Sequence, residues 1–156
     1  MGNFMIKNIS LALVTLIAST HALALESLIT VESHYSAKET ADRFEAIIKD
    51  KGFTVFARID HQKNAAGVNL TLRPTEVIVF GKPNIGTQLI QCNQLAAIDL
   101  PQKALISEDA DNKVWLSYNN PQYLKQRHNI AGCDMVMSKI AAALNTLSIA
   151  ATSKPL

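Results

Sequence analysis

Acidic side chains are missing from the first 25 positions, and only two cysteines, Cys92 and Cys133, occur in the 156 residues. Two cysteines set so far apart lack the close ligand spacing of a zinc site, so no metal centre is expected. Also missing are a Gly-x-Ser-x-Gly elbow, a phosphate loop and a Gly-x-Gly-x-x-Gly turn, the local signatures of common hydrolases, nucleotide hydrolases and dinucleotide enzymes. Net charge is small, with 15 Lys and Arg against 13 Asp and Glu. That balance gives no clustered basic face, and nucleic acid is not an expected partner. Beyond the N-terminal region no apolar run reaches the roughly 20 residues of a membrane span, because Asn145, Thr146 and Ser148 interrupt Ile140 to Ala151. Repeats, low-complexity tracts and long linkers are absent too, which leaves a single domain as the default.

The N-terminus has a different character. An apolar run from Ile9 to Ala18 follows Lys7 and ends in Ala22-Leu23-Ala24. A positive start, a short apolar stretch and a small-x-small end describe a secretory signal peptide, cleaved after Ala24. An uncleaved anchor and a buried N-terminal helix are the alternatives; the run is short for the first and lacks the polar face of the second. Residues 1–24 are therefore expected to be removed, leaving a periplasmic or secreted domain of residues 25–156. Loss of Lys7 takes the formal charge from +2 to +1. In an oxidising compartment Cys92 and Cys133 become a candidate disulfide, the alternative being two buried thiols.

Periodicity divides the domain into short elements. Leu28 to Ser33 is rich in β-branched residues and reads as a strand. Ser36 and Glu39 have capping-box spacing, and Ala37, Ala41, Phe44, Ile47 and Ile48 form one helical stripe that Gly52 ends. Phe53, Val55, Ala57 and Ile59 alternate as a strand, with Phe56 facing away from the core. Asp60 is placed to cap a short helix through Ala66, and Val77 to Phe80 reads as a central strand covered on both faces. Asn84 is expected to cap a helix from Ile85 to Cys92. Ala104 to Glu108 and Val114 to Tyr118 form a hairpin; Asn120-Pro121 opens a helix to Arg127, and a last helix runs from Asp134 to Ile149. This order predicts an α+β fold, a two-layer α/β sandwich whose mixed or mainly antiparallel sheet carries helices on one face.

Several phrases have a recognisable order: Gly52-Phe53, Phe56 through His61 to Ala65, Val79-Phe-Gly-Lys-Pro83 with Gly86-Thr87, Asp99-Leu-Pro101, and Trp115 through Pro121 with Tyr123-Leu124 and Arg127-His128. Together they resemble the domain of unknown function 302 family over Leu28 to Ile130. The resemblance implies a small α/β domain that forms homodimers and is often exported, and it implies no reaction. Cys92 departs from the family's usual apolar or small residue, which makes the cysteine pair a local addition.

Within those phrases His61 and His128 are the candidates for acid–base or ligand chemistry, since a neutral imidazole binds metals and moves protons near neutral pH. A helix-start histidine and a helix-end histidine are the structural alternatives. Lys82, Asn84, Asn119 and Tyr123 follow the third and fifth strands, and if the strands preceding them and His61 run the same way their ends converge on one polar site. The resulting expectation is a dimeric ligand-binding or protein-interaction module for an unspecified small molecule, with Phe56 and Trp115 in the dimer contact. An enzyme using His61 or His128 is the alternative.

Overall fold

The computed structural model describes residues 26–155; the expected signal peptide and its cleavage point lie outside them. Five strands, β1 (Leu28–Ser33), β2 (Thr54–Asp60), β3 (Thr75–Gly81), β4 (Gln102–Glu108) and β5 (Val114–Asn119), form one sheet in the order β1-β5-β4-β3-β2. Every pairing is antiparallel. The mixed alternative is thus resolved to a wholly antiparallel sheet, because each neighbour in space is reached by a reversal rather than a parallel crossover.

Helices α1 (Ala37–Asp50), α2 (His61–Ala66), α3 (Pro83–Cys92), α4 (Pro121–Arg127) and α5 (Asp134–Thr152) connect and cover these strands. Ser36 accepts from the Glu39 N–H and starts α1. At its end Gly52 takes a left-handed φ of 71° while the Gly52 and Phe53 N–H groups reach back to Lys49 and Ile48. That pair of reversed bonds satisfies carbonyls the helix would otherwise leave open. Asn84 does not cap α3. The cap position is Lys82, without a side-chain bond, and Pro83 is the first helical residue, where its missing N–H costs nothing. A 3₁₀ segment, Gln94–Asp99, follows α3 where no element was expected, and α5 continues past Ile149 to Thr152.

One face of the sheet carries the core. Ile78 and Phe80 of β3, Ala104 and Ile106 of β4, and Leu116 and Tyr118 of β5 are buried there against Phe44 and Ile48 of α1 and Met137, Leu144 and Leu147 of α5. Phe44 meets Phe80 edge-on with centroids 5.1 Å apart. Each such large apolar side chain contributes about 1.5–3 kcal/mol when fully buried. α5 has the length and composition of a membrane span, yet its stripe from Val136 to Ala151 belongs to this core.

The opposite face is only half covered. Val77 pairs with Leu105, and Leu105 with Ser117; Val77 and Leu105 remain half-buried. β3 is interior but is therefore not covered on both sides as its apolar run suggested. Trp115 also lies on this face, half-buried, and its indole N–H donates to Asp109 at 2.7 Å.

Two polar devices join the layers. Arg58 on β2 bonds Glu76 on β3 and reaches Asp42 at 2.8 Å and Glu45 at 2.9 Å on α1. Arg43 donates to the carbonyls of Ala150 and Ala151 at the end of α5. Cys92 at the end of α3 is bridged to Cys133 just before α5, with Cα atoms 6.4 Å apart.

Candidate functional site

The six polar residues expected to share a site are distributed over the molecule. β2 and β3 are antiparallel, so His61, after β2, lies beyond the opposite end of the sheet from Lys82 and Asn84, after β3. The convergence required both strands to run the same way, and within one chain it does not occur. β5 runs with β3 and brings Asn119 to the Lys82 end, two strands away. His61 is exposed at the start of α2, where Asp60 accepts from the Lys63 N–H and caps the helix. Asn84 is exposed, and Tyr123 is half-buried on α4.

His128 is the most deeply buried of the six. It ends α4, is 8 % exposed, and its Nε2 lies 2.5 Å from an Asp99 carboxylate oxygen. Arg127 approaches the other Asp99 oxygen at 3.5 Å, and Asn93 donates to the His128 carbonyl. These contacts clasp α4 to the 3₁₀ segment. Among the described residues no three His, Cys, Asp or Glu side chains gather as metal ligands would.

A further opening lies elsewhere. An open groove of about 870 Å³ runs between α1, α3 and α5 at the Gly81–Lys82 end of the sheet. Its walls are mainly apolar, with Ile47, Phe53, Ile85, Ile90, Ala143 and Leu147 among them. Phe56 stands at its edge, 53 % exposed, at the β-bulge between Val55 and Ala57. Gly81 fits between Phe56 and Pro101, each 3.7 Å from where a Cβ would sit.

Four polar side chains stand out in this apolar setting. Gln102, the first residue of β4, is buried, and among the described residues neither its Oε1 nor its Nε2 has a hydrogen-bond partner. Lys51, Lys82 and Lys139 also line the groove, while among the described residues no Asp or Glu does. Lys82 Nζ sits 4.6 Å from the Phe53 ring centroid. Among the described residues Lys82 and Lys139 have no ion-pair partner, whereas Lys51 pairs with Asp50 at 3.4 Å.

Of the sequence candidates only Lys82 belongs to the groove. Gln102 was missed because the strand reads as starting at Ala104, although Gln102, Ala104 and Ile106 share one phase of the alternation. A glutamine in step with two core positions was the available signal. Lys51, Lys139 and the wall residues carry none, since they come from distant elements.

Comparison with known proteins places this architecture. Residues 29–147 match the family described as "Domain of unknown function DUF302". The chain belongs to the DUF302 family. A crystal structure of an uncharacterised DUF302 protein from Bacillus stearothermophilus has the same fold, with a TM-score of 0.74 and 18 % identity over 81 % of this chain and 99 % of the other. In sequence, the chain is 41 % identical over 122 residues to a protein of Brucella suis named fluoride-specific ion channel FluC 1 and to its Brucella abortus counterpart. The match covers 78 % of this chain and only 48 % and 45 % of those two relatives, so the DUF302 chain spans about half their length.

Proposed function

We propose that this chain is an exported, dimeric binding module that takes an apolar small molecule into the groove between α1, α3 and α5. The observation that carries the reading is the groove itself. Its volume of about 870 Å³ falls within the range of small-molecule sites, and a mainly apolar wall with a few polar groups is the usual composition of such sites. Apolar surface left open in this way is stabilised by an occupant that removes it from water.

The dimer is proposed on separate ground. Among the described residues both outer strands, β1 and β2, have an unpaired edge, and the half-buried Val77, Leu105 and Trp115 leave an apolar sheet face for a second copy. Phe56 also lines the groove edge. An enzyme using His61 or His128 has less support, because His128 is held against Asp99 and His61 is an exposed helix start. The channel activity in the relatives' names belongs to proteins of which this chain matches under half, and conduction forms no part of the proposal.

Titration with the neutral fluorophore N-phenyl-1-naphthylamine tests the groove. Saturable one-site binding is expected, and Ala143→Trp, which fills the wall, should abolish it without changing the circular dichroism. Binding that never saturates, or that survives the substitution in a folded protein, overturns the reading.

A further inference from the structure

The 3₁₀ segment Gln94–Asp99 turns about every three residues, so positions three apart stand one above the other and the segment has three faces. Ala96 and Asp99 form the inner face: Ala96 is 2 % exposed, and Asp99 is held by His128. Gln94 and Ala97 form the second, where Ala97 lines the groove. Leu95 and Ile98 form the third, and they are 74 % and 73 % exposed. Packing accounts for the first two faces and leaves the third in water. Met135, also 74 % exposed, belongs to the same region through the disulfide, since Leu95 lies three positions after Cys92 and Met135 two after Cys133. Large apolar side chains gathered in solvent mark a surface that meets something less polar than water.

The flanking charge narrows what that is. Residues 94–103 and 125–139, which carry and adjoin these side chains, hold four Lys and Arg against two Asp. Both carboxylates are already matched, Asp99 by His128 and Arg127 and Asp134 by Lys125. Lys103 donates to the carbonyls of Asp99 and Pro101, and neither it nor Lys139, one turn after Met135, has an ion-pair partner among the described residues. A cationic margin repels a second copy of itself, which leaves the sheet face as the place for a dimer. It attracts a layer that is anionic on top and apolar beneath. The three apolar side chains project from the surface, and a fluid acyl layer takes projecting side chains without a matching pocket.

We infer that Leu95, Ile98 and Met135 dock this domain on an anionic lipid surface, with Lys103 and Lys139 at the headgroups. The docking holds whether or not the groove is occupied. The exported form, beginning at Leu25 by mass, is sedimented with vesicles of phosphatidylcholine alone and of equal parts phosphatidylcholine and phosphatidylglycerol. Binding to the mixed vesicles is expected, and it should fall roughly tenfold on phosphatidylcholine alone or at high salt. Lys103→Gln with Lys139→Gln should give a similar loss on the mixed vesicles. Leu95→Ser with Ile98→Ser should abolish binding at an unchanged melting temperature, since neither side chain is in the core. The control is Val68→Ser with Leu70→Ser, comparably exposed apolar residues before β3, at the opposite end of the sheet, and it should bind as the parent does. Binding that survives loss of Leu95 and Ile98, binding lost in the Val68 and Leu70 variant, or equal binding to the two vesicle types overturns the assignment. A parent that ignores vesicles overturns it too, and its retention through Leu95 and Ile98 on an immobilised acidic amphipathic peptide would point instead to a protein partner. N-phenyl-1-naphthylamine titration of the same variants without vesicles should match the parent, so failure of the groove and failure of the docking are read separately.

Discussion

Arg58 illustrates how single side chains hold this fold. Its side chain is 29 % exposed and bonds three carboxylates, and those bonds keep its guanidinium charged. Lys38 and then Arg58 hold Asp42 below its ordinary range, while Lys49 and then Arg58 do the same for Glu45. Carboxylates with lowered folded values contribute stability that is complete above the unfolded value and is lost as pH falls through the folded one. Unfolding free energy should therefore decline as pH drops below about 4, and Arg58→Met should make that decline shallower. At neutral pH the same variant should cost about 2 kcal/mol in urea denaturation, in line with hydrogen bonds to charged groups. His128→Ala is expected to cost about 1–3 kcal/mol, since it leaves the half-buried Asp99 without its closest partner. Thermal melts of the two variants would check both figures, and a His128 variant as stable as the parent would remove the structural role assigned to that residue.

Among the elements, α3 and α5 depend most on a covalent link. They form two walls of the groove, and the Cys92–Cys133 bridge joins the end of one to the start of the other across 41 positions. Closing a loop of that length restricts the unfolded chain and contributes about 3–4 kcal/mol when unstrained. The double variant Cys92→Ala, Cys133→Ala should lose stability of that order in guanidinium denaturation. It should also weaken fluorophore binding more than the Arg58 variant does, because the groove walls are then free to separate. At the start of α4, Asn120 accepts from the Gln122 N–H and donates to the Glu26 carbonyl. Asn120→Ala should cost about 1 kcal/mol by the loss of this cap.

At the scale of the molecule, the open sheet face and the edges of β1 and β2, unpaired among the described residues, support association of two copies. Sedimentation should give a dimer, and Leu105→Lys, which places a charge on that face, should shift it towards monomer. A concentration-independent monomer in the parent would contradict the proposal. Material recovered from outside the cytoplasm should begin at Leu25; an N-terminus at Met1 would overturn the expected cleavage.

What could be read directly from the chain was whatever local chemistry dictates. Ser36 and Gly52 bound α1 because a hydroxyl and a left-handed glycine satisfy helix ends wherever they occur. The alternation of β4 and β5 and the short polar loop between them specify a hairpin, and Asp60 caps α2 for the same local reason. Residue order and spacing also carried the family resemblance. Strand direction was not local. Whether His61 and Lys82 meet depends on β2 and β3 pairing antiparallel, a choice made by the packing of their shared face rather than by either strand alone. The groove was equally hidden, because its walls come from α1, α3 and α5 and an apolar stripe on a helix looks the same whether a neighbour covers it or not. Gln102 shows the limit most clearly: its place in the alternation was visible, but only the packed structure determines that its amide is buried without a partner among the described residues.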